Sequence, residues 1–86
     1  MQNEHDPLPA DWLAKARTAR ELDAAGKPWP AWSTGETLAV ALILRRADLL
    51  ADLDYTPVKA LMKLSDDIGA DPAQVRTLVI DLREQV

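Results

Sequence analysis

Leu38 to Leu44 reads LAVALIL, an unbroken apolar run, and it limits the fold more than any other stretch of the chain. Just before it stands Ser33-Thr34-Gly35-Glu36, which fits the capping box S-x-x-E. In that motif the serine accepts from the backbone N–H of the glutamate, and the glutamate reaches back to the N–H of the serine. The pattern predicts a helix over 34–53, carried by TLAVALILRRADLLADL. Its apolar residues fill three lines: Leu38, Leu42 and Leu49; Ala39, Ile43 and Leu50; Val40, Leu44 and Ala47. A helix that is apolar nearly all round is a central one, covered on several sides by neighbours. The run is far too short to span a bilayer. Arg45 and Arg46 mark where the helix turns toward water.

The rest of the chain reads as helices made to cover this one. No stretch shows the sustained two-residue alternation of strands. After a tail over 1–9, Pro9 and Asp11 open a helix near 10–25. Trp12, Ala16, Ala19 and Leu22 form one face of it, and Gly26 with Pro28 ends it. Thr56-Pro57 caps and starts a helix over 57–68, with Val58, Leu61, Leu64, Ser65 and Ile68 on one face and Gly69 at its end. Asp71, Pro72 and Gln74 start the last helix, over 72–85, with Val75, Leu78, Val79 and Leu82 facing inward. The expectation is a single all-α, four-helix domain around the 34–53 helix, its last two helices forming a helix-turn-helix-like hairpin.

Charge and residue usage exclude several functions. The net charge is -4, and the acids outnumber the bases in every third of the chain, so no segment is an obvious footprint for nucleic acid. An acidic surface also repels anionic lipid. There is no cysteine, which removes disulfides, thiol nucleophiles and cysteine-based zinc sites. His5, the only histidine, reads as a solvated tail residue. The opening MQNEHDPLP lacks the apolar core of a signal peptide, so a cytoplasmic location is expected. Ser33 and Ser65 have structural roles and no histidine to act as their base. Asp48, Asp52 and Asp54 lack the spacing of a calcium loop. No phosphate-cradling glycine loop appears. The expectation is no enzyme, no catalytic residue, no cofactor and no metal.

Two constellations remain. In LMKLSDDIGADPAQVRTL, Ser65, Gly69 and Val75 have the spacing of a DNA-binding helix-turn-helix, with Leu64, Ile68, Ala70 and Leu78 at the apolar positions. Lys63, Gln74, Arg76 and Thr77 are the nucleic-acid candidates on that reading. Asp66, Asp67 and Asp71 oppose it, because they stand where phosphates would lie. Pro72 and Ala73 cannot read base edges, and Ile80 would be exposed. The second constellation is GKPWPAWSTGE. Pro28 and Pro30 hold the backbone around Trp29 extended. Tryptophan suits a binding anchor because it buries much area with few rotors to freeze. The spacing predicts Trp32 mostly buried over the first turn of the 34–53 helix and Trp29 substantially exposed. Trp29, Pro30, Trp32, Arg45 and Arg46 are the candidate partner-binding residues.

PWPAWSTGETLAVALIL resembles small, uncharacterised proteins of actinobacteria and their bacteriophages that carry a W-S-T-G-E-x-L-A-V-A-L core. The resemblance covers about the middle third of the chain. It implies a host or phage accessory protein and brings no activity or ligand with it. The leading expectation is therefore a non-enzymatic protein-interaction module, of phage-accessory or regulatory type, acting on a host protein. A helix-turn-helix DNA-binding regulator is the alternative, and an acidic inhibitor of a nucleic-acid-binding protein is a third. The protein partner has no identity from sequence. Self-association, a route by which small domains gain core, is compatible with this length.

Overall fold

A computed structural model of the chain describes residues 7–86, so His5 and most of the expected tail lie outside the described residues. The described chain is all-helical. Its elements are α1 (Pro7–Ala24), α2 (Thr34–Ile43), α3 (Ala47–Asp52), α4 (Pro57–Ile68) and α5 (Pro72–Gln85). Helix α1 begins at Pro7, before the expected start near residue 10. Prolines fit there because the first N–H groups of a helix have no intrahelical acceptor to lose.

Every residue of α2 from Leu38 to Ile43 is buried, and α1, α3, α4 and α5 all pack against it. The helix starts as its cap dictates. The backbone N–H of Glu36 donates to Ser33 Oγ at 3.2 Å, and that of Ser33 donates to Glu36 Oε1 at 3.1 Å. Lys15 of α1 also reaches Glu36, at 3.1 Å, and Asp11, at 2.6 Å. The Ser33 N–H first, and then Lys15, hold the Glu36 carboxyl below the usual carboxylate range. Trp12, Ala16 and Ala19 of α1 face the core, as do Val75, Val79 and Leu82 of α5. Five alanines, at 16, 19, 39, 41 and 60, are completely buried, so three of the helices bring their backbones close together. The core has no phenylalanine to hold them apart.

The expected 34–53 helix is two helices. Leu44, Arg45 and Arg46 break it, and Arg45 sits at φ +59. The N–H of Arg46 donates to Ala41 O at 2.8 Å and that of Arg45 to Leu42 O at 3.2 Å. This is the Schellman closure, in which the residue at positive φ is usually glycine. Here it is arginine. Asp54, at φ +65, closes α3 in the same way, with the Tyr55 N–H on Leu50 O at 2.8 Å. Glycine does this work after α1 (Gly26) and α4 (Gly69). The break has a long-range clamp as well. Arg83 of α5 donates from Nε and Nη2 to the Leu42 carbonyl at 3.0 and 2.7 Å. Burial, and then the nearby Arg45, push the Arg83 guanidinium below its ordinary pKa. A cation at a helix C-terminus also complements the helix dipole.

Of the face expected of α4, Leu64 is buried and Leu61, Ser65 and Ile68 are half-buried, and Val58 alone departs from it. Ala60 and Leu64 point inward, and Val58 is 65% exposed. Val58 looks outward with Met62. At the far end, Arg17 and Arg20 of α1 donate to the carbonyls of Gln85 and Val86, latching α1 to α5.

Three mutational outcomes follow. Ser33→Ala should cost about 1 kcal/mol, and Leu42→Ala roughly 2–5 kcal/mol, in urea unfolding. Arg45→Gly should raise stability by up to about 1 kcal/mol, because glycine adopts positive φ without a Cβ penalty and the Arg45 side chain makes no hydrogen bond or ion pair among the described residues. A lower unfolding midpoint for Arg45→Gly would show that its side chain contributes more than its backbone strain costs.

Candidate functional site

The residues between α1 and α2 run extended past the end of α3, and a groove of about 410 Å³ lies between them. Trp29 and Pro28 form one wall, Leu49 and Leu53 of the α3 region another, and Lys27, Asp23, Arg46 and Asp52 supply the charge around it. Leu53 is 39% exposed at its edge.

Trp29 is not the exposed anchor that its flanking prolines suggest. It is half-buried, as Trp32 is, and both pack against the core. Three contacts set its direction. Its indole N–H donates to Asp23 Oδ1 at 2.9 Å. The Arg46 guanidinium lies 6.0 Å from its ring centre, within cation–π range. Trp32 stacks at a tilt, centroids 6.0 Å apart and planes at 48°. Asp23, in the last turn of α1, also accepts from Arg46 Nη1 at 2.5 Å through its other oxygen. Arg46 completes a two-pronged pair with Asp48, at 3.0 and 2.8 Å. Asp48, then Asp23, raise the Arg46 pKa, and Arg46 lowers that of Asp48. The Asp23–Arg46–Trp29 cluster thus ties α1, the loop and the α2–α3 break together.

Of the five partner-binding candidates, the structure brings Trp29, Trp32 and Arg46 together. Pro30 is exposed, and its carbonyl accepts the Trp32 N–H at 2.9 Å. Arg45 points elsewhere, into a cleft with Pro57 and Arg83. Sequence reasoning missed Asp23 and the Leu49–Leu53 wall. Asp23 belongs to no motif or spacing that marks it in the sequence. Leu49 was assigned to the buried lines of a continuous helix that is in fact broken.

The nucleic-acid candidates do not converge. Lys63 pairs with Asp67 at 3.0 Å, which raises its pKa. Gln74 Oε1 accepts the Asp71 N–H at 2.9 Å, and Thr77 Oγ1 donates to Ala73 O at 3.0 Å. Arg76 alone of the four is exposed without a hydrogen bond or ion pair among the described residues. Ser65, the small residue of that motif, donates to the Ala70 carbonyl and tightens the turn. Among the described residues no cluster of three or more acids or histidines could hold a metal ion. No described helix is long and apolar enough to cross a membrane.

No protein-family model, curated protein or solved structure matches this chain.

If Asp23 orients Trp29, then Asp23→Ala should shift the Trp29 indole N–H resonance and speed its exchange with solvent. The Trp12 resonance, from the core, should hold still. The stability cost should stay near 1 kcal/mol or below, since the pair is partly solvated. An unmoved Trp29 resonance would mean that the loop is set by its prolines alone.

Proposed function

We propose that this chain is a non-enzymatic protein-interaction module that receives an apolar side chain of a partner protein in the groove between Trp29 and Leu53. The observation that carries the reading is the preordered wall. Trp29 is held by Asp23, Arg46 and Trp32 before any partner arrives, so little freedom remains to be lost on docking. Lys27 and Asp52 flank the groove, and neither side chain has a hydrogen bond or ion pair among the described residues. They suit a segment whose apolar anchor stands between an acid and a base. The likeness of the WSTGE core to actinobacterial and phage proteins extends the proposal to an accessory or regulatory factor acting on a cytoplasmic host protein. The DNA-binding alternative has less support, since three of its four candidate side chains are engaged within the protein.

Peptides selected from a random display library on the full chain should share a large apolar residue with charges of both signs beside it. Their binding should perturb Trp29 fluorescence and weaken at least tenfold in Leu53→Asp, a substitution at an exposed edge. Selected peptides that bind Leu53→Asp as tightly as the original would place the interaction elsewhere. Tight, salt-sensitive binding to duplex DNA that Arg76→Ala weakens would favour the alternative.

A further inference from the structure

Helix α4 carries the two most exposed large apolar side chains among the described residues, Val58 at 65% and Met62 at 57%. At 100° per residue they share one outward face with Lys59 and Asp66. A shallow groove follows that face from Tyr55 to Pro72. The charges on it are placed symmetrically: Lys59 is three residues before Met62 and Asp66 four after it. Both are exposed, and neither side chain makes a hydrogen bond or ion pair among the described residues. Their neighbours Lys63 and Asp67 satisfy each other one step around the helix.

We infer that this face of α4 is a self-association surface whose occupant is a second, antiparallel copy of the same chain. The argument is charge complementarity. When two copies of α4 cross antiparallel about Met62, Lys59 of each comes level with Asp66 of the other, so one pair of residues forms two cross-copy ion pairs. A parallel crossing in register would set Lys59 beside Lys59 and Asp66 beside Asp66, which is repulsive. The antiparallel arrangement is a twofold one, which closes at a dimer and does not propagate. The two Met62 side chains meet near the axis, and the small Ser65 and Gly69 leave room along the same face for the other copy's Val58. This surface is separate from the Trp29 groove, so either proposal can fail without the other.

Sedimentation velocity of the full chain should show a reversible monomer–dimer equilibrium, with dimer forming at concentrations on the order of 100 μM, as expected for a small interface. Lys59→Glu and Asp66→Lys should each weaken the dimer on the order of tenfold, by facing like charges across the axis. The double variant exchanges the signs and should restore association to within a few-fold of wild type. Met62→Glu should abolish it. All three substitutions lie on the solvent face, and thermal melts should confirm that each variant folds. A wild-type chain that stays monomeric at millimolar concentration overturns the inference. So does a double variant that associates no better than the single ones.

Discussion

The buried second half of α2 must find donors for its last carbonyls, and the rest of this structure depends on how it does so. Its last residues, Leu42 and Ile43, are buried. A buried carbonyl without a donor is costly, so partners must be brought to it. The chain supplies them twice. Locally, the backbone folds back through Arg45 at positive φ and returns two N–H groups to Ala41 and Leu42. From a distance, Arg83 places two donors on the Leu42 carbonyl. This second contact fixes the axial position of α5 against α2. Through the latch of Arg17 and Arg20 on the last carbonyls, it also fixes that of α1.

The starts of α2, α4 and α5 were legible because they are chemically local. A side-chain oxygen at Ser33 or Thr56 has only a few residues within reach, and the structure uses those acceptors as the sequence suggests. Helix ends were legible where glycine marked them, after α1 and α4. The end at Asp54 was expected too, since the predicted helix stopped at residue 53, but the break at Arg45 was hidden, because an arginine side chain does not announce that backbone geometry. The reason for the break at Arg45 lies partly in Arg83, nearly half the chain away in sequence. The outward turn of Val58 was hidden for a related reason. Counting apolar residues gives valine more weight than alanine, whereas close helix packing favours the smaller side chain at Ala60.

The candidate site shows the same split between local and distant causes. Its stiffness was foreseeable from Pro28 and Pro30. Its direction was not, since Asp23 and Arg46 converge on Trp29 from two different helices. The pair has a double use. Asp23 bonds the indole with one oxygen and Arg46 with the other, so the ring wall and the α2–α3 break share one carboxylate. An apolar groove beside so constrained an aromatic ring differs from a loose hydrophobic patch, because its shape exists before any ligand does.

The fully buried alanines carry a further consequence. At Ala16, Ala19, Ala39, Ala41 and Ala60 the side chain is completely buried, and only a methyl group separates each backbone from its neighbours. Elsewhere in a core a lost methyl leaves a hole that neighbours can partly refill. At these five positions an added methyl has nowhere to go without prising two helices apart. Sequence drift across such contacts is thus one-sided: glycine fits where valine does not. Lineages of this fold would be expected to vary in their large apolar residues, which can trade volume with one another, while keeping small residues fixed along the lines where the helices meet.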